Sequence, residues 1–97
     1  MINLSDRYQV RSNRESGYGR YDLMLIPREI SRTGFVFEFK KVDREDDKIV
    51  EKALQSALSQ IVEKHYAAEL RQGGVTKVMG VAVVVEGKKV WLQHELL

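Results

Sequence analysis

The chain has 97 residues, enough for one domain of ordinary size and too few for two. Its 16 Lys and Arg nearly balance 14 Asp and Glu, and 43% of the residues are hydrophobic, which is typical of a folded protein. The absence of cysteine excludes disulfides, cysteine-ligated zinc and thiol catalysis. No apolar run approaches the roughly 20 residues that span a bilayer, so we expect a single cytoplasmic domain, residues 1–97, with no membrane partner.

The first half of the chain predicts three strands in an antiparallel meander. Residues 8–14 alternate weakly and lead into a turn-like cluster that contains two glycines. Residues 20–27 are apolar on both faces except for Asp22, which is typical of a buried strand. Residues 35–42 alternate strictly, with three phenylalanines on one face of the strand and Val36, Glu38, Lys40 and Val42 on the other.

The second half predicts one long helix and then a hairpin. Asp46 or Asp47 is the expected N-cap, apolar residues recur at helical spacing, and Gly73 and Gly74 end the helix after more than about six turns. An aliphatic run at 77–85, a tight turn and a final strand at 89–93 follow. The sequence therefore predicts an α/β fold with a mixed sheet, in the order β-β-β-α-β-β.

Three charged residues lie in strands that are otherwise apolar. Asp22 interrupts the second strand, and Glu38 and Lys40 project from the same face of the third. Carboxylates on neighbouring strands, with a backbone carbonyl such as that of Phe39, can hold a Mg²⁺ ion that keeps several waters. The lysine could orient a metal-bound water or offset charge on a phosphate. For an isolated Glu-x-Lys pattern, a surface ion pair is the commoner interpretation.

The order of these motifs resembles that of the PD-(D/E)xK nuclease superfamily, and of its branch often found behind an AAA-ATPase-like domain. Gly19-Arg20-Tyr21-Asp22 resembles the aspartate motif of the family, and Glu38-Phe39-Lys40 resembles its E-x-K motif. Gln60-Ile61, with Lys64 and Tyr66, resembles the Gln-to-Tyr helix motif of RecB-like members. The resemblance runs from about residue 8 to residue 91.

The resemblance implies a minimal restriction-endonuclease-like core that hydrolyses the phosphodiester bonds of nucleic acid, with DNA expected more than RNA as the substrate. The implied cofactor is Mg²⁺, which Mn²⁺ can replace. The implied metal ligands are Asp22, Glu38 and the Phe39 carbonyl. The implied catalytic residues are Asp22, Glu38 and Lys40. The residues implied to support the site or bind substrate are Gln60, Lys64, Tyr66 and Arg20. ATP binding is not expected, because the glycine-containing turn lacks the Gly-Lys-Ser/Thr of a P-loop.

The chain departs from the family at its start. Only residues 1–7 precede the first strand, where superfamily members usually have a helix that often supplies another glutamate. Glu15 is a candidate for that extra carboxylate, although a solvated turn residue is the commoner case. The missing helix would leave part of one sheet face uncovered, so we expect a homodimer, with or without exchanged elements. The alternative functions are a noncatalytic oligomerisation or nucleic-acid-binding module with this fold, or a detached piece of an ATPase-linked protein.

Overall fold

The computed structural model of the protein describes the backbone of residues 4–16 and 19–97 and the side chains of residues 6–12 and 22–97. The predicted turn at residues 17 and 18 lies outside the described residues. The elements in chain order are α1 (Leu4–Arg7), β1 (Tyr8–Ser16), β2 (Gly19–Pro27), β3 (Gly34–Lys41), α2 (Asp47–Glu63), α3 (Tyr66–Gln72), β4 (Val78–Glu86) and β5 (Lys89–Leu96). The α/β class and the strand order are confirmed, with two helices where the sequence predicted one.

The strands form one five-stranded sheet in the order β1-β2-β3-β4-β5. The β3–β4 pair is parallel and the other pairs are antiparallel, so the predicted meander and mixed sheet are confirmed. A parallel pair needs a crossover connection, and α2 and α3 supply it. Because both helices belong to this one crossover, they pack on the same face of the sheet.

The alternation of β3 divides the sheet into two faces with different surroundings. Val36 lies on the helix face and is fully buried in a core cluster with Ala57 and Ile61 of α2. Phe39 points to the opposite face, here called the open face, and its side chain is 46% exposed. The shortest dimension of the molecule is 21 Å, the thickness of one sheet and one layer of helices. Within the described residues, no helix is long and apolar enough to cross a membrane.

The predicted single long helix is wrong, because the chain turns at His65. Asp46 caps α2 as predicted, accepting hydrogen bonds from two backbone N–H groups, but α2 ends at Glu63. His65 then adopts a left-handed conformation with φ of 54°, and α3 begins at the next residue. The change of direction brings Tyr66 and Leu70 into the core, where they are 1% and 2% exposed. Burial of these two side chains offsets the cost of the left-handed residue.

Replacing His65 by glycine tests the cost of that backbone conformation. Glycine adopts positive φ freely, so we expect His65→Gly to raise the free energy of unfolding by about 0.5–1 kcal/mol. The matched control is Lys52→Gly, an exposed position in the interior of α2, which we expect to lower that free energy by a similar amount. Urea titration followed by circular dichroism measures both. Equal destabilisation by the two variants would contradict the left-handed assignment.

Candidate active site

Glu38, Lys40 and Gln60 form a chain of hydrogen bonds between β3 and α2. The Lys40 Nζ donates to Gln60 Oε1 at 3.0 Å, and the Gln60 Nε2 donates to Glu38 Oε1 at 3.0 Å. The two β3 residues share the helix face because they are two positions apart, and α2 packs directly on that face. The two ends of a single side-chain amide therefore fix the acidic and the basic member of the E-x-K motif.

Asp22 of β2 is hydrogen-bonded to the backbone of β3, the strand that carries Glu38 and Lys40. Its Oδ2 accepts a hydrogen bond of 2.7 Å from the Phe39 N–H. The backbone pairing of β2 with β3 ends where Leu23 lies opposite Phe37. Beyond that pair, the hydrogen bond from β3 towards β2 is the one that the Asp22 carboxylate accepts. In a strand the N–H and carbonyl of one residue leave the backbone on the same side, so the Phe39 carbonyl also points towards β2. The structure thus brings Asp22, Glu38 and the Phe39 backbone to one place.

Glu38 is buried, with 6% of its surface exposed, and it is the only buried charged residue among the described side chains. Burial raises the pKa of Glu38 from 4.5 to about 7, and the negative charge of Asp22 also raises it, while Lys40 lowers it. Within the described part of the chain, its Oε2 has no hydrogen-bond partner. A buried polar atom without a partner is uncommon and costs free energy, so its presence needs an explanation.

A divalent cation would provide the missing partner. Oxygen ligands from Asp22, Glu38 and the Phe39 carbonyl suit Mg²⁺, a hard cation that usually binds one or two carboxylates and keeps several waters. Among the side chains that the structure describes, no group of three or more His, Asp or Glu could hold a metal ion. The residues present therefore fit a cation that keeps part of its water shell better than one enclosed entirely by protein ligands.

The remaining predicted site residues do not join this cluster in the described structure. Tyr66 belongs to the hydrophobic core cluster, where its ring is inaccessible to a substrate. Lys64 is the exposed C-cap of α2, one residue beyond the helix end. Glu15 and Arg20 face each other in the β1–β2 pairing, but their side chains lie outside the described residues. Their predicted roles at the site therefore stay predictions.

Two contacts around the site were not expected from the sequence. The first is the bond from the Phe39 N–H to Asp22; extending the β2–β3 register by one position places Asp22 opposite Glu38, the residue next to Phe39. The second contact is an ion pair of 3.4 Å between Arg11 of β1 and Glu69 of α3. It depends on the turn at His65, for which the sequence has no glycine or proline signal.

Comparison with known proteins agrees with this geometry. A family model described as the PD-(D/E)XK nuclease superfamily matches residues 1–95. No curated protein and no solved structure matches the chain significantly. The family match covers nearly the whole chain, including both strands that carry the carboxylates and the helix that carries Gln60. The chain therefore belongs to the PD-(D/E)XK nuclease superfamily.

Proposed function

We propose that the protein hydrolyses phosphodiester bonds of nucleic acid, with DNA as the expected substrate, and that it works as a homodimer with a bound divalent cation. One observation carries the catalytic part of the proposal. The buried Glu38 Oε2 has no partner in the described structure and lies in a cluster with a second carboxylate and an ammonium group. A purely structural residue at that position would be expected to be apolar or fully hydrogen-bonded.

Asp22, Glu38 and the Phe39 carbonyl would hold Mg²⁺, and Mn²⁺ could replace it because carboxylate and carbonyl oxygens suit both. When bound, the cation supplies a Lewis acid that polarises the phosphate and lowers the pKa of a coordinated water. The protein's part is to keep these oxygens in place. The hydrogen bond from the Phe39 N–H holds Asp22, and the bond from Gln60 holds Glu38.

Lys40 would act on the substrate. Its ammonium group has three donors, and one of them is used by Gln60 Oε1. In the described part of the chain the other two have no partner, so they could orient the attacking water or stabilise negative charge that develops on the scissile phosphate. Gln60 would be a positioning residue, because it contacts the catalytic side chains and acts on the reaction through them.

Cleavage assays on DNA with Mg²⁺ or Mn²⁺ test the role of Lys40. We expect Lys40→Ala to lower the cleavage rate by roughly 100-fold or more, because it removes a charge that stabilises the transition state. The control is Lys41→Ala, which removes the same charge from the next residue on the other face of β3. It should change the rate by only a few-fold. Equal losses in the two variants, or an inactive wild type on single-stranded, double-stranded and branched DNA, would contradict the catalytic proposal.

Calorimetric titration with Mn²⁺ tests the metal site without any substrate. We expect the metal-free protein to take up the cation, and Glu38→Gln to abolish uptake because the amide is a poorer ligand and carries no charge. Glu63→Gln, an exposed change of the same chemistry at the end of α2, should bind like the wild type. No uptake by the wild type would favour the noncatalytic module over the nuclease.

The raised pKa of Glu38 predicts a pH-dependent stability in the absence of metal. In the folded protein the group binds its proton up to about pH 7, but in the unfolded chain only up to about pH 4.5. Its contribution to stability is therefore complete below pH 4.5 and is lost as the pH rises through 7. Thermal melts in EDTA should show Glu38→Gln more stable than the wild type at pH 8, with a smaller difference at pH 5. A difference that does not change with pH would contradict the raised pKa.

A further inference from the structure

The open face of the sheet carries a continuous apolar surface. Tyr8, Phe35, Phe37 and Phe39 form an aromatic row, with neighbouring ring centroids 6.0 to 6.3 Å apart. The register places the outward aliphatic residues of β4 beside the phenylalanines and those of β5 beside β4. Leu92 of β5 is 65% exposed at one edge of this face. Apolar side chains therefore extend from β1 to β5.

The described part of this surface carries very little charge. Among the described side chains that the pairing register places on the open face, Lys41 is the only Asp, Glu, Lys or Arg, and it lies at the end of β3. Strands spaced about 4.8 Å apart and about eight residues long give the face a footprint of roughly 600 Å². That is the upper end of the apolar patches found on monomeric proteins, and such patches commonly mark interaction sites.

The topology also indicates that the face is covered in the working protein. Parallel strands usually have both faces buried, and the parallel pair of β3 and β4 has helices on only one face in the described structure. One helix, about 10–12 Å wide with its side chains, would cover about half of the face at most. Another sheet has a suitable width and flatness, and two sheets pack face to face at about 10 Å.

We propose that a second copy of this chain covers the open face, so that the two sheets stack with their aromatic rows between them; this rests on the homodimer of the proposed function and gives it an interface. Both footprints together bury at least roughly 1,200 Å², which reaches the lower limit for a specific interface. The described part of the face carries one Lys or Arg, Lys41, so two copies repel each other little, whereas a nucleic acid would find few of the cations that bind phosphates there. The interface leaves the carboxylates and Lys40 on the opposite face of each sheet.

Sedimentation equilibrium at micromolar concentrations tests the surface with variants at its two edges. We expect the wild type to be a dimer, and both Val10→Lys on β1 and Leu92→Lys on β5 to weaken dimerisation by roughly 100-fold, because each brings an unpaired charge into the apolar contact. The matched control is Val62→Lys on α2. Val10 and Val62 are 48% and 50% exposed, so the substitutions differ mainly in the layer that they alter.

Circular dichroism of each variant distinguishes weaker dimerisation from unfolding. A variant is compared with the wild type only if it keeps the same secondary structure. A monomeric wild type, or a dimer that Val62→Lys weakens as much as Val10→Lys, would overturn the proposal. Weakening by only one of the two edge variants would indicate pairing through a single edge strand and would also overturn it. Lys40→Ala should remain a dimer, so a failure of the catalytic proposal and a failure of this one are distinguishable.

Discussion

The burial of the Glu38 carboxylate is the constraint on which the rest of the structure depends. The residue lies opposite Ala82 of β4 in the sheet, and only 6% of it is exposed. An apolar residue of similar size would give a more stable sheet, because removing a carboxylate from water is costly. The bond from Gln60 and the charge of Lys40 offset part of that cost. The remainder is free energy that binding of the proposed cation would recover, which would link stability to function at this one residue.

The two faces of β3 separate the charged residues of the candidate site from the apolar residues suited to packing against a partner. The helix face holds the charged groups under α2, while the phenylalanines make the other face suitable for packing against a partner. Phe39 belongs to both faces, because its N–H holds Asp22 and its ring ends the aromatic row. A partner that immobilised this ring would also restrict the backbone on which the proposed metal site is built. Assembly and catalysis could then be coupled through one residue without any contact between the two sites.

Much of the fold could be predicted from the sequence, because it follows from local periodicity, and alternation also indicated that Glu38 and Lys40 share a face; Gln60 was expected only from the resemblance to the family. Strict alternation in β3 determined which side chains share a face, and the Asp46 cap located the start of α2. The turn at His65 could not be predicted, because no local signal marks it and the burial of Tyr66 and Leu70 decides it. The same turn places Tyr66 in the core, where a supporting role stays a prediction and direct contact with substrate would need the ring to become accessible.

The orientation of the Gln60 amide has one more consequence. Its NH₂ group donates to Glu38 Oε1, and the carbonyl oxygen of a neutral carboxyl group is a better acceptor than the hydroxyl oxygen. When Glu38 is neutral, its hydrogen therefore sits on Oε2, the oxygen that has no other partner in the described structure. The proposed cation would compete with the hydrogen ion for this atom, and their exchange would leave the bond from Gln60 intact. The proposed metal site would then change from its resting to its loaded form by replacing one ion with another, without rearranging the side chains around it.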